Sequence, residues 1–143
     1  NFIDQYLNTY PGIKEYMEKT IKQAYENGYA KTLFNRKRKI DELKNSNYMI
    51  RQSGERMALN TPIQGTSADI IKKAMVEIHK KLKENNLKSK LIIQVHDELV
   101  FDCLKDEKEE VVTIMKNVME NVCELKVPLK IDVEYGNNWY EAK

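Results

Sequence analysis

Two neighbouring carboxylates, Asp97 and Glu98, stand between apolar runs in the segment LIIQVHDELVFDC, residues 91–103. Adjacent acids flanked by hydrophobic cover bring negative charge into a region of lowered dielectric, and a cation would relieve their repulsion. Carboxylate oxygens suit hard ions such as Mg²⁺, which is usually held by one or two protein carboxylates together with substrate phosphates. Two such ions about 3.5–4 Å apart can activate an attacking oxygen and steady a leaving one in phosphoryl transfer. The plainer reading is an acidic turn facing water, and spacing alone does not separate the two. His96, beside the acids, could be a ligand, a nucleic-acid contact or a packed hairpin residue.

A second group lies upstream. Arg56 and Asn60 are four apart, hence on one helix face. They could share a structural hydrogen bond, or reach together toward phosphate and base edges. Gln64, just before Gly65, could bond backbone amides at a helix start or probe a groove.

The elements that must position these residues follow from local pattern. Residues 91–103 read as a β-hairpin whose turn carries the acids, with both strands buried. Period two puts Leu91, Ile93 and Val95 on one face and Ile92, Gln94 and His96 on the other. A helix from Asp106 to about Val122, with Val111, Met115, Val118 and Val122 as its stripe, should cover one face of that sheet, and Leu129–Tyr135 reads as a last strand. A helix from about Ser46 to Asn60 should end or kink at Thr61-Pro62, because a residue before proline is pushed out of the α region. Thr66 can then cap a new helix with Asp69 in its first turn and Ile71, Met75, Ile78 and Leu82 as a core stripe, ending at Asn85-Asn86.

The amino-terminal part reads as a helix over Phe2–Tyr10, broken at Tyr10-Pro11-Gly12. A second helix follows, with Ile13, Met17, Thr20, Ile21 and Ala24 on one face, stopped at Asn27-Gly28. Residues 29–34, YAKTLF, have the composition of a short strand, and Arg36–Lys39 reads as an exposed basic loop.

A chain of 143 residues buries roughly two-thirds of its unfolded surface, enough for a core without staples. Cys103 and Cys123 lie in apolar surroundings at no metal-ligand spacing, which points to reduced thiols in an intracellular protein. No run approaches the ~18 apolar residues of a membrane span, and no secretory leader opens the chain, so a soluble, unexported protein without a membrane partner is expected. It begins at Asn1 rather than Met, within a helical pattern, as a piece of a longer protein would. The net charge of +2 hides a division: residues 31–56 carry eight basic and three acidic groups, residues 72–90 seven and two, and residues 97–134 five and eleven. The basic stretches could face a polyanion, or be no more than solvated helix faces.

The string ERMALNTPIQGTSADIIKKAM, residues 55–75, followed by QVHDELVF, residues 94–101, resembles the carboxy-terminal palm and adjoining fingers of bacterial DNA polymerase I-type enzymes, the family A DNA polymerases. FIDQYLNTYPGIKEYM, GYAKTLF and the ending YGNNWYEAK extend the resemblance over essentially the whole chain. The resemblance implies that the QVHDE hairpin is the family's motif C. Asp97 would then hold catalytic metal, with Glu98 assisting at the metal site. Arg56, Asn60 and Gln64 would touch primer-template DNA, and Gln94 and His96 would lie near the primer terminus. The implied reaction is attack of a primer 3′-hydroxyl on the α-phosphorus of a deoxynucleoside triphosphate, with two Mg²⁺ ions carrying the charge. A bacterial source would make it cytoplasmic and nucleoid-associated, serving replication or repair.

The family's other metal-binding aspartate, on a DYSQIELR-like strand, is absent, as is the fingers helix that grips the triphosphate. The chain therefore reads as the last quarter or so of a polymerase core, inactive alone and partnered by the remainder of the polymerase. Residues 1–45 are expected to be fingers-side helices and basic loop, and residues 46–143 the carboxy-terminal palm. Asn35 stands where the family usually has Gly, and Asp41 where it usually has Pro. The rival reading is a non-catalytic nucleic-acid-binding module on the same scaffold. The expected architecture is α+β: helices on a small antiparallel sheet that contains the acidic hairpin.

Overall fold

The computed structural model describes residues 2–142 and has an α+β architecture, with five α-helices and two separate two-stranded antiparallel sheets among the described residues. The chain divides into two compact units, one up to Ser67 and one from Ala68.

In the first unit, α1 (Phe2–Thr9) and α2 (Pro11–Asn27) are separated only by Tyr10. Pro11 starts α2, where its missing N–H costs nothing, and Gly28 ends it at φ 73°, a left-handed conformation that glycine adopts without a Cβ penalty. On the expected α2 face Ala24 is buried, whereas α1 buries no residue. β1 (Tyr29–Lys31) pairs with β2 (Lys37–Lys39), opposing Ala30 to Arg38. The run expected to be a basic loop is thus largely a strand, exposed along its whole length. Alternation could not reveal it, because KRK has no apolar residue to mark a face. The connection turns through Asn35 at φ 63°, with the Asn35 amide donating to the Thr32 carbonyl at 3.0 Å. Asparagine tolerates this left-handed geometry better than most residues, which accounts for its standing at a position expected to hold glycine. Asp41 opens a 3₁₀ turn, Asp41–Lys44, and both acids and proline suit a first helical position.

α3 (Tyr48–Asn60) is capped by Asn47, whose side chain accepts from the Met49 amide at 2.9 Å. Thr61-Pro62 does not break the chain out of helix. It is accommodated by a π-helical turn, Thr61–Gly65, that runs into α4 (Thr66–Glu84). Widening the turn absorbs the proline, which has no N–H and would crowd the preceding turn. Thr66 is consequently helical and is not a cap; its hydroxyl accepts from the Leu33 amide at 2.9 Å instead. The core of this unit is Ala24, Ala30, Ile40, Leu43 and Ala58, with Met57 against it, so it joins residues on both sides of position 45.

In the second unit, Ile71, Ile78 and Leu82 of the stripe expected on α4 are buried, whereas Met75 is half-buried and Ala74 is buried beside them; the helix stops before Asn86 at φ 55°. α5 (Lys108–Glu120) follows a 3₁₀ turn, Lys105–Glu107. The core is Ala74, Ile78, Leu82, Val111 and Val118, with Leu99, Phe101 and Cys103 of the hairpin packed on it together with Met115 and Val122. Both cysteines are free thiols. The expected strand at Leu129–Tyr135 does not form: the segment has no ladder partner among the described residues, and its Ile131 amide donates to the Glu120 carboxylate at 3.4 Å. Valine and isoleucine there satisfy strand propensity, but a strand exists only where a second strand takes up its backbone groups.

Candidate functional site

The hairpin is formed by β3 (Lys90–Val95) and β4 (Glu98–Asp102), closed by the two-residue turn His96-Asp97. Val95 opposes Glu98, so Asp97 sits in the turn and Glu98 is the first residue of the returning strand. Asp97 and Glu98 are both exposed. His96 adopts φ 50°, which a non-glycine residue does at a cost of the order of 1–3 kcal/mol and only where the surroundings enforce it. One enforcing contact is visible: Gln94 Nε2 donates to the His96 carbonyl at 2.8 Å, bracing the turn from within the hairpin. Gln94 and His96, both exposed, are therefore brought together with the two acids.

Two corrections apply to the strands. The ladder contains a bulge, since Leu91 opposes Phe101 and Ile93 opposes Val100, leaving Ile92 as the extra residue. Paired residues share a face, so Leu91 falls on the side of Leu99 and Phe101, whereas Ile93 and Val95 fall on the side of Val100 and Glu98; the expected single face of Leu91, Ile93 and Val95 is split. Nor are both strands buried, because Ile92 is 55% and Ile93 40% exposed. Only one side of the hairpin meets the α4–α5 core, and the apolar run Leu91–Ile93 gives no sign of which side that is.

At the base of the hairpin lies a network the sequence did not suggest. The Glu107 carboxylate accepts from the amides of Lys88 (2.9 Å) and Ser89 (2.8 Å) and from the Ser89 hydroxyl (2.6 Å). Ser89 Oγ accepts in turn from the Leu104 amide at 3.0 Å. These bonds hold the Glu107 carboxyl below its ordinary range, the Lys88 amide contributing most and the Ser89 hydroxyl next. Ser89 is buried. An acid just ahead of a helix is the only local hint, and it is shared by many solvated residues.

The first unit carries the other group. Asn60 and Gln64 line a cleft of about 330 Å³ together with Arg36, Lys37, Arg38, Thr61 and Gly65. Arg56 and Asn60 are both exposed on α3 and make no side-chain hydrogen bond to each other. Of the three basic residues missed as cleft residues, Arg36 lies in the β1–β2 connection and Lys37 and Arg38 lie in β2. The connection is fastened at two points, once to the π turn and once to the first residue of α4. Arg36 Nη2 donates to the Gly65 carbonyl at 3.2 Å, and Leu33 N–H donates to Thr66 Oγ1. The approach is close: a Cβ on Gly65 would lie 2.7 Å from Thr32 Cγ2. Nearby, the Tyr25 hydroxyl donates to Glu55 at 2.9 Å and is pushed up in pKa chiefly by that bond.

The donor chemistry of Asp97 and Glu98 suits a hard cation, but they are only two acids. No cluster of three or more His, Cys, Asp or Glu able to hold a metal is found among the described residues. No described helix is long and apolar enough to cross a membrane.

Residues 1–141 match the model of DNA polymerase family A, and the chain belongs to that family. Among its relatives is the DNA polymerase I of Caldicellulosiruptor bescii, 53% identical over 142 residues, which are 99% of this chain and 17% of that protein. The DNA polymerase I of Bacillus subtilis is 50% identical over 99% of this chain and 16% of its own length. The chain thus spans 16–17% of the length of these curated relatives. A solved structure of the POL domain of Pol1 from M. smegmatis, in complex with DNA primer-template and dNTP, is similar at a TM-score of 0.95 and 39% identity, covering 98% of this chain and 25% of that one.

Proposed function

We propose that this chain is the carboxy-terminal part of a template-directed DNA polymerase, which joins a deoxynucleotide to a primer 3′-hydroxyl with release of pyrophosphate. The observation that carries the reading is the exposed QVHDE turn, where a strained His96 and a bracing Gln94 present two neighbouring carboxylates, in a chain closely similar to a polymerase domain solved with primer-template and dNTP.

In this reading Asp97 is a metal ligand and Glu98 assists it, both through exposed carboxylate oxygens, with a further acid supplied by the rest of the polymerase. Mg²⁺ held there would neutralise charge developing on the transferred phosphate and favour the deprotonated primer hydroxyl. Gln94 and His96 orient the turn toward the primer end. Arg56, Asn60 and Gln64 contact the primer-template from the first unit, where Lys37 and Arg38 add positive charge that a polyanion would complete. Residues 1–45 serve the fingers side and residues 46–143 the palm. The protein acts in the bacterial cytoplasm, at the nucleoid, in replication or repair.

With only two acids in hand and no triphosphate-gripping helix, the 143-residue chain is inactive by itself. In the full-length polymerase that carries it, Asp97→Ala should cut nucleotide incorporation by several orders of magnitude while leaving primer-template affinity within a few-fold. Primer extension and a DNA-binding titration across salt concentrations measure the two separately. Retained synthesis in the variant would remove Asp97 from the chemistry and favour a nucleic-acid-binding module. Extension by the isolated chain would overturn its inactivity.

A further inference from the structure

Among the described residues the acidic hairpin forms a sheet of two strands, and the bulge at Ile92 interrupts its ladder between base and tip. Packing reaches it from one side, through Leu99, Phe101 and Cys103. What ties its entry to its exit is the network of four donors at the base. Lys88 and Ser89, immediately before β3, are bonded to Glu107 after β4, and Ser89 Oγ accepts from Leu104 on the same exit segment. Glu107 also stands at the entry to α5, whose Val111 and Val118 belong to the core. Hairpin, exit turn and helix are therefore pinned at one carboxylate.

We propose that Glu107 is a positioning residue for the Asp97-Glu98 pair, fixing the base of the β3–β4 hairpin and thereby the pose of the acids at its tip. The inference rests on the polymerase reading of those acids. Six strand residues at ~3.3 Å each set the tip about 20 Å from the clamp, so a tilt of only about 3° at the base moves the tip by about 1 Å. A displacement of that size at reacting groups lowers a rate by up to about a hundredfold. Glutamine in place of Glu107 keeps the shape and, with its carbonyl oxygen at the Oε2 position, can still accept from Ser89, but its NH₂ then faces the Lys88 amide, so it loosens the clamp without creating a cavity.

The test uses the full-length polymerase, with E107Q, S89A and D97A made separately. In E107Q the single-turnover incorporation rate should fall roughly ten- to a hundredfold with little change in dNTP affinity. Amides of residues 90–102 should exchange hydrogen faster, while those of α4 remain as protected as before. S89A keeps the amide bonds to Glu107 and should move both readouts in the same direction but less. It decides the matter if E107Q does not fold. Faster exchange with an unchanged incorporation rate in the variants would make the clamp merely structural and overturn the inference, as would exchange indistinguishable from the parent. D97A separates the two levels: if it retains synthesis, the reading of the acids fails whatever the clamp does, whereas if it is dead and E107Q turns over normally, only the clamp is refuted.

Discussion

Substituting Gly65 by alanine sets two effects of known sign against each other. Gly65 is the last residue of the π turn and lacks the positive φ that would make alanine strained, so helix propensity alone favours the change by about 1 kcal/mol. Against this, the new Cβ would lie 2.7 Å from Thr32 Cγ2, whereas carbon atoms rest at about 3.5–4.0 Å. Thr32 cannot yield cheaply. It is buried, stiff at χ1, and its hydroxyl accepts from the Arg36 amide at 3.3 Å. Separation of the β1–β2 connection from the π turn would also stretch the Arg36 bond to the Gly65 carbonyl. Overpacking of this kind costs roughly 1–3 kcal/mol, so the clash should match or exceed the propensity gain. Gly12 supplies the control: it is helical, and a Cβ there would meet nothing within 4 Å, so Gly12→Ala should be neutral or stabilising by up to about 1 kcal/mol. Urea unfolding of the 143-residue chain and both variants should place Gly65→Ala below Gly12→Ala by roughly 1–3 kcal/mol. In the full-length polymerase, Gly65→Ala should also weaken primer-template binding, because Asn60, Gln64 and the basic residues line one cleft. Equal stabilities for the two variants would refute the claim that the connection is wedged against the π turn.

Ile78, fully buried in the second core, should cost about 2–5 kcal/mol when replaced by alanine, read from urea midpoints; a loss below about 1 kcal/mol would mean the site collapses or is not core. Glu107 has a folded-state pKa below its ordinary 4.5, so it stabilises the fold above that value and loses the contribution as pH falls through the lower, folded one. Melting temperature should therefore drop more steeply below pH 4.5 in the parent than in Glu107→Gln. Glu141, held down mainly by Asn137, titrates in the same direction in both proteins, so the difference between the curves isolates Glu107. Identical curves would show that the clamp is not formed in solution.

What was legible in the sequence was whatever local chemistry or period enforces. The stripes Ile71–Leu82 and Val111–Val118 repeat at helical spacing because one helix face must be apolar, and both are core. The stop at Gly28 was legible because few residues tolerate its φ. The acidic turn was legible as a hairpin because two short apolar, β-branched runs flank a polar group. The KRK strand and the missing strand at 129–135 fail for one reason: pairing is decided by the partner, so β2 forms without a strand pattern because YAK lies opposite, and a good strand pattern forms nothing where no partner runs.

The same distinction separates the proposed site residues from their supports. Asp97, Glu98, Gln94 and His96 lie within five consecutive residues and can be read as one string. Ser89 and Glu107 are eighteen positions apart, and Arg36 and Gly65 twenty-nine, each pair meeting only because the chain has folded. Any hydrogen-bond partner of suitable reach could serve in such a pair, so residue type alone carries little signal. Ligands for a hard cation, by contrast, are drawn from a short menu of oxygen donors in which carboxylates stand out in a sequence. Such supports are fixed by geometry, at the points where the acidic hairpin enters and leaves the core, and in this chain Glu107 stands at that point.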